Sequence, residues 1–246
     1  MRVRDAAALA LVVATLVVAA GCQRSIFRQY EYEEEIYLKL DGSATVLVNT
    51  SIPALIALRG IDLDPASTAR VDRSKIKAFY ESPVARVTRV SPPWRRQGRQ
   101  FVQIRLETDD IRQLARARPF EWSTYRFGLE NGQYHYLQQW GPAVAKAVPG
   151  ITWTGSELVA VRMHLPSKVD YHNATSRQVD QGNIVAWEQP LQDRLRGQPA
   201  TMEVRMQTQS ILYYALTVFG LAFAAAVALM AGVVVWLKRK GARAAA

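Results

Sequence analysis

Cysteine is nearly absent from this chain: Cys22 is the single one in 246 residues. That excludes a disulfide framework within the chain and any Cys-rich zinc site. Histidine is scarce as well. His135, His164 and His172 sit in no HExxH or HxH pattern, so no metal site and no cofactor are expected. There is no G-x-S-x-G elbow, no P-loop and no dinucleotide fingerprint. With no paired nucleophile and base in view, the chain is not expected to be an enzyme. Internal repeats and low-complexity tracts are missing too. The composition, 49% hydrophobic and 21% charged, is too apolar for a disordered protein.

What the chain does have is two uncharged runs, one near each end. Met1 to Arg4 is a short basic leader, Ala6 to Ala20 carries no charge, and Gly21-Cys22 follows. A basic start, a short apolar stretch and small residues before a cut site describe a secretory signal over 1–21. Cleavage after Ala20, or retention as an uncleaved anchor, also fits these residues. At the other end, Ile211 to Leu237 holds 27 positions without a charge. A helix needs about 20 to cross the hydrocarbon core, so 211–237 is expected to span a membrane once. Tyr213, Tyr214 and Trp236 stand where interfacial aromatic belts fall. Lys238, Arg239, Lys240 and Arg243 follow at once, so the positive-inside rule puts the tail, 238–246, in the cytoplasm. The body, 22–209, then lies on the extracytoplasmic side of the cytoplasmic membrane.

The charge follows this topology. The net charge is +10. Of this the leader (Arg2, Arg4, Asp5) contributes +1 and the tail +4, which leaves +5 on the body. The basic excess is therefore largely targeting chemistry, and with no RNP-type or zinc-type motif a nucleic-acid partner is not expected.

Within the body, period-two alternation dominates. Ile36, Leu38 and Leu40 share one face of a strand, Asp41-Gly42 signals a hairpin, and Ala44, Val46 and Val48 face inward on the way back. Further strands are expected around 84–90, 101–106, 122–129, 133–138, 158–165, 183–187 and 201–206. Short helices are expected at 72–80, after the cap at Thr108-Asp109-Asp110, and at 53–58 and 142–148, each opening on Pro. The strands and helices do not alternate strictly. The expected class is α+β, a mostly antiparallel sheet with a few short helices, plus the C-terminal transmembrane helix.

Ala19-Ala20-Gly21-Cys22 resembles a bacterial lipobox, which implies that Cys22 is the lipid-modified first residue of the mature chain. The hairpin Leu38-Lys39-Leu40-Asp41-Gly42-Ser43-Ala44, the segment Met163-His164-Leu165-Pro166, then Asn173-Ala174, then Gly182 to Glu188 resemble the LppM-like family of bacterial lipoproteins. The resemblance implies a lipobox, a β-rich extracytoplasmic domain related in shape to lipid-binding folds, and a C-terminal transmembrane helix.

Two surfaces stand out. Pro92 to Arg99 reads as a strand-joining loop whose Trp94, Arg95, Arg96 and Arg99 suit contact with anionic lipid head groups; a solvated loop needs no such role. In the membrane segment, Gly220, Ala224, Ala228 and Gly232 recur every four residues as a ridge for helix association, with a second copy or another subunit. The acidic run Glu31, Glu33, Glu34 and Glu35 reads as charge on an edge or membrane-proximal strand. The aromatics from Phe120 to Trp153 read as core, or as the lining of an apolar pocket. The functional expectation is an envelope lipoprotein whose body binds membrane lipid, a hydrophobic ligand or another envelope component. The alternative is a structural subunit of an envelope complex that assembles through its transmembrane helix.

Overall fold

In the computed structural model, residues 28–175, 179–180 and 183–244 are described. Cys22 and the segment 1–21 lie outside them. The chain opens with β1 (Gln29–Leu38), which turns through Lys39–Ser43 into β2 (Ala44–Ser51). The turn needs Gly42, whose φ is +89°. β1 stops at Leu38, so Leu40 falls in the turn and not on the expected strand face.

Helix α1 (Ile52–Arg59) follows directly. Ser51 caps it by accepting from the Ala54 N–H, Pro53 sits in the first turn, and Gly60 closes it in the left-handed region. Every one of its eight residues is buried, seven of them apolar and the last, Arg59, a cation. Helix α2 (Arg73–Tyr80) has its Asp72 cap and buries Ile76 and Tyr80. Then come β3 (Arg86–Val90), β4 (Trp94–Arg96) and β5 (Arg99–Thr108). Two short 3-10 segments, Ile111–Arg116 and Arg118–Phe120, lead to β6 (Ser123–Glu130) and β7 (Gln133–Trp140). The last part holds β8 (Glu157–His164), β9 (Ser167–His172), β10 (Ile184–Pro190), α3 (Leu191–Leu195), β11 (Ala200–Ser210) and α4 (Ile211–Ala244).

The strands form two sheets. The larger has the order β10-β8-β1-β2-β5-β3, with β4 also on β5; the smaller is β6-β7-β11-β9. Among the described strands only β1 and β8 pair in parallel. The fold is thus α+β with mostly antiparallel sheets, as the alternation implies. The sheets share one core. Tyr32, Ile36, Val46, Val48, Ile104, Val159 and Val161 come from the first, and Tyr136, Trp140, Val204 and Met206 from the second.

Two expectations of element type need correcting. Residues 142–148 are not a helix. The chain is irregular there, with Ala145 at φ +54°, and the Val144 and Lys146 N–H groups donate to Leu58 O and Ala57 O, satisfying the last carbonyls of α1. Residues 92–99 are not an open loop. Trp94 pairs with Phe101 and Arg96 with Arg99 across a two-residue turn at Gln97-Gly98, both at positive φ. Strand β9 had no counterpart in the alternation, because an edge strand buries few side chains.

Helix α4 continues β11, and the Ile211 N–H donates to Pro166 O at 3.0 Å. Its stretch Ala215–Val233 is long and apolar enough to cross a membrane, and none of it is buried against the body. Leu216, Phe219, Leu221, Phe223 and Leu229 are all exposed.

Candidate functional site

The acidic run at the start of β1 is not an edge feature. β1 lies between β2 and β8, so its charges are distributed over two faces of a central strand. Glu33 and Glu35 face outward, where they meet Arg162 Nε (3.0 Å) and His164 Nε2 (2.7 Å). Glu34 faces inward with Tyr32, Ile36 and Leu38 and is fully buried.

A fully buried carboxylate requires partners, and Glu34 has three. Arg59 donates to it at 2.7 Å, the Tyr32 hydroxyl at 2.8 Å and the Gln138 amide at 3.2 Å. Arg59 also donates to the Tyr32 oxygen. Gln138 stands on β7, so Glu34 ties one sheet to the other. The Tyr136 hydroxyl donates to Gln138 Oε1 at 2.8 Å. Burial raises Tyr32, Tyr80, Tyr125 and Tyr136 well above the ordinary phenol range, so all four hydroxyls are protonated at neutral pH.

Arg59 sits at the last position of α1, its side chain only 2% exposed. Its guanidinium carbon lies 3.4 Å from the ring centre of Trp122. A second guanidinium, that of Arg194 on α3, lies 4.6 Å from the same ring and 5.1 Å from Trp140. The two indoles stack at 4.9 Å. Arg194 is fully buried, donates to Gln198 O and Gly141 O, and meets no carboxylate among the described residues. Burial, and then repulsion by Arg59, pull its pKa down to about 10; Glu34 opposes them. Arg194 therefore stays charged at neutral pH.

A cavity of about 440 Å³ reaches this group from the surface, with Arg59 and Trp122 in its lining. A larger concavity of about 850 Å³ lies between α2 and β3, but no buried charge lines it.

The residues singled out from the sequence lie elsewhere. Trp94 (41% exposed), Arg95 and Arg96 stand on the β4–β5 hairpin, and the ring of Trp94 stacks on Phe101 at 5.9 Å. Arg96 donates to Arg28 O at 3.0 Å, so the hairpin is next to the first described residue. Arg99 does not belong with them. Its side chain is 12% exposed, ion-paired to Glu31 (2.7 Å) and Glu157 (3.2 Å), and lies 4.7 Å from the Trp153 ring. Two buried carboxylates take up its charge, which removes it from any surface set. Gly220, Ala224, Ala228 and Gly232 lie on α4, and a Cβ added at either glycine would meet nothing within 4 Å. The aromatics of β6 and β7 are core: Tyr125, Phe127, Tyr136 and Trp140 are buried. Trp122, just before β6, lines the cavity that reaches buried charge.

Sequence reasoning missed Glu34, Arg59 and Arg194 as a group. One signal was available: Tyr32, Glu34, Ile36 and Leu38 are all two apart, which puts Glu34 on the apolar face.

No family model matches this chain, and no curated protein matches it. Among solved structures, the chain is similar to the NMR structure of the folded domain of Mycobacterium tuberculosis LppM. The two are 14% identical, and the match covers 77% of this chain and 96% of that one with a TM-score of 0.42. A likeness at that level carries no functional conclusion.

Proposed function

We propose that this protein is a single-pass envelope lipoprotein without enzymatic activity, acylated at Cys22 and held by α4. On this reading its body lies outside the cytoplasmic membrane, meets anionic lipid through Trp94, Arg95 and Arg96, and takes an apolar ligand. The observation that carries the reading is the place of the β4–β5 hairpin. Its exposed Trp and two exposed cations sit beside Arg28, only six residues from Cys22. Six residues reach at most about 20 Å, so acylation at Cys22 keeps the hairpin near the bilayer. Each cation at an anionic surface is worth about 1 kcal/mol, so the pair supplies roughly thirtyfold in surface affinity before Trp94 is counted.

The test places the full chain in nanodiscs with brominated acyl chains. Quenching of tryptophan fluorescence is expected to fall in Trp94→Phe, and to weaken in Arg95→Gln with Arg96→Gln or at high salt. Equal quenching in the wild type and Trp94→Phe contradicts the surface contact. Capture of a stoichiometric protein partner that is lost on Gly220→Ile with Gly232→Ile would favour the assembly reading instead.

A further inference from the structure

The charge around Trp122 does not balance. Arg59 and Arg194 bring two cations into the core within 5 Å of one ring centre, and Glu34 is the one carboxylate that meets either of them among the described residues. The group keeps one uncompensated positive charge.

Its hydrogen bonding is also incomplete. Arg59 Nε, Arg194 Nε, Trp122 Nε1 and Trp140 Nε1 are all buried and have no acceptor. Native cores rarely keep one such donor unpaired, let alone four together. All four are donors, so the missing partner is an acceptor, and the charge count makes it an anion of charge −1. A water molecule would meet the first need and not the second. Repulsion between the two guanidiniums, which contributes to the low pKa of Arg194, is the penalty such an anion would relieve.

The cavity supplies the route. Arg59 and Trp122 line it together with Leu58, Pro119, Pro142 and Val144. Its other charged residues, Arg118 and Glu121, are of opposite sign. We propose that this cavity binds a monovalent carboxylate with an apolar body. Its carboxylate lies at Arg59 and Trp122, the two members of the charged group that line the cavity, and its chain lies along the four apolar side chains. The inference rests on the reading that the body takes an apolar ligand, and it names the head group that this ligand carries.

The test uses the full chain in dodecyl maltoside, titrated with sodium octanoate, octanol or inorganic phosphate, and followed by melting temperature and tryptophan fluorescence. Octanoate is expected to raise the melting temperature saturably, while octanol and phosphate leave it unchanged. Trp122→Phe keeps the stack on Trp140 and removes one N–H; it is expected to weaken octanoate binding about tenfold. Val144→Trp fills the cavity and is expected to abolish binding while the unliganded protein stays folded. If octanol binds as well as octanoate, the anion site is refuted and the apolar-ligand reading stands. If neither binds, both fall at this cavity. Binding of phosphate in preference to octanoate, or of octanoate unchanged by Val144→Trp, also overturns the proposal.

Discussion

Replacing Glu34 with glutamine leaves two guanidiniums in the core with no carboxylate beside them. In the native protein the formal charge of Glu34, Arg59 and Arg194 sums to +1; in Glu34→Gln it becomes +2, and in Arg59→Met it becomes zero. Breaking a buried pair by removing one partner costs about 3–5 kcal/mol, because the survivor stays charged in the core. The two halves of this pair are not equivalent. Glu34 keeps Arg194 as a nearby cation when Arg59 is lost, and methionine retains an apolar stem against Trp122. Arg59 gains nothing when Glu34 is lost, and Arg194 repels it. Glu34→Gln is therefore expected to sit at the upper end, about 4–5 kcal/mol, and Arg59→Met near 2. For a body of this size 1 kcal/mol moves the melting temperature by about 2–4 °C, so the losses are roughly 8–20 °C and 4–8 °C. Thermal and urea unfolding of the full chain in dodecyl maltoside, followed by tryptophan fluorescence, measures both. Arg59→Met equal to or worse than Glu34→Gln refutes the argument from unbalanced charge. The double variant is expected to be more stable than the sum of the singles by 1 kcal/mol or more.

Two further outcomes follow from local geometry. Burial pushes the Glu157 carboxyl up, but N–H groups of Thr154 and Gly155 and the Arg99 guanidinium more than offset it, so its pKa is lowered. A lowered carboxyl stabilises the fold above the unfolded value near 4.3 and loses that contribution as pH falls through the folded value. Glu157→Gln is expected to be less stable than wild type at pH 7 and to lose less on acidification from pH 6 to 3; parallel curves contradict this. Gly60 ends α1 at φ +71°, and a Cβ there would lie 3.1 Å from Val144 Cγ1. Gly60→Ala is expected to lower stability by about 1–2 kcal/mol in a urea melt, and no change means the helix end relaxes.

The sheets were legible because one face of each strand is apolar. Val102, Ile104 and Leu106, or Val159, Val161 and Met163, announce a half-buried strand with no help from the rest of the chain. Helix α1 was legible for a different reason, Pro at its start in an apolar run, and its Asx-type counterpart at Asp72 likewise. The segment 142–148 misled because Pro-Ala-Val-Ala has helical propensity, while two of its N–H groups are used by α1, 86 and 89 residues earlier. The charge network was hidden by the same non-locality. Glu34, Arg59, Gln138 and Arg194 come from β1, α1, β7 and α3, and the pairing of sheets that joins them leaves no trace in spacing. Arg99 looked like one more loop cation beside Arg95 and Arg96, because its partners Glu31 and Glu157 are 68 and 58 residues away.

Side-specific labelling tests the topology most directly. In a Cys22→Ala background, single cysteines placed by Gln209→Cys and Ala246→Cys are exposed to a membrane-impermeant maleimide on intact spheroplasts. The first is expected to react at once and the second only after lysis; reaction of both, or of neither, before lysis contradicts a body held outside by α4.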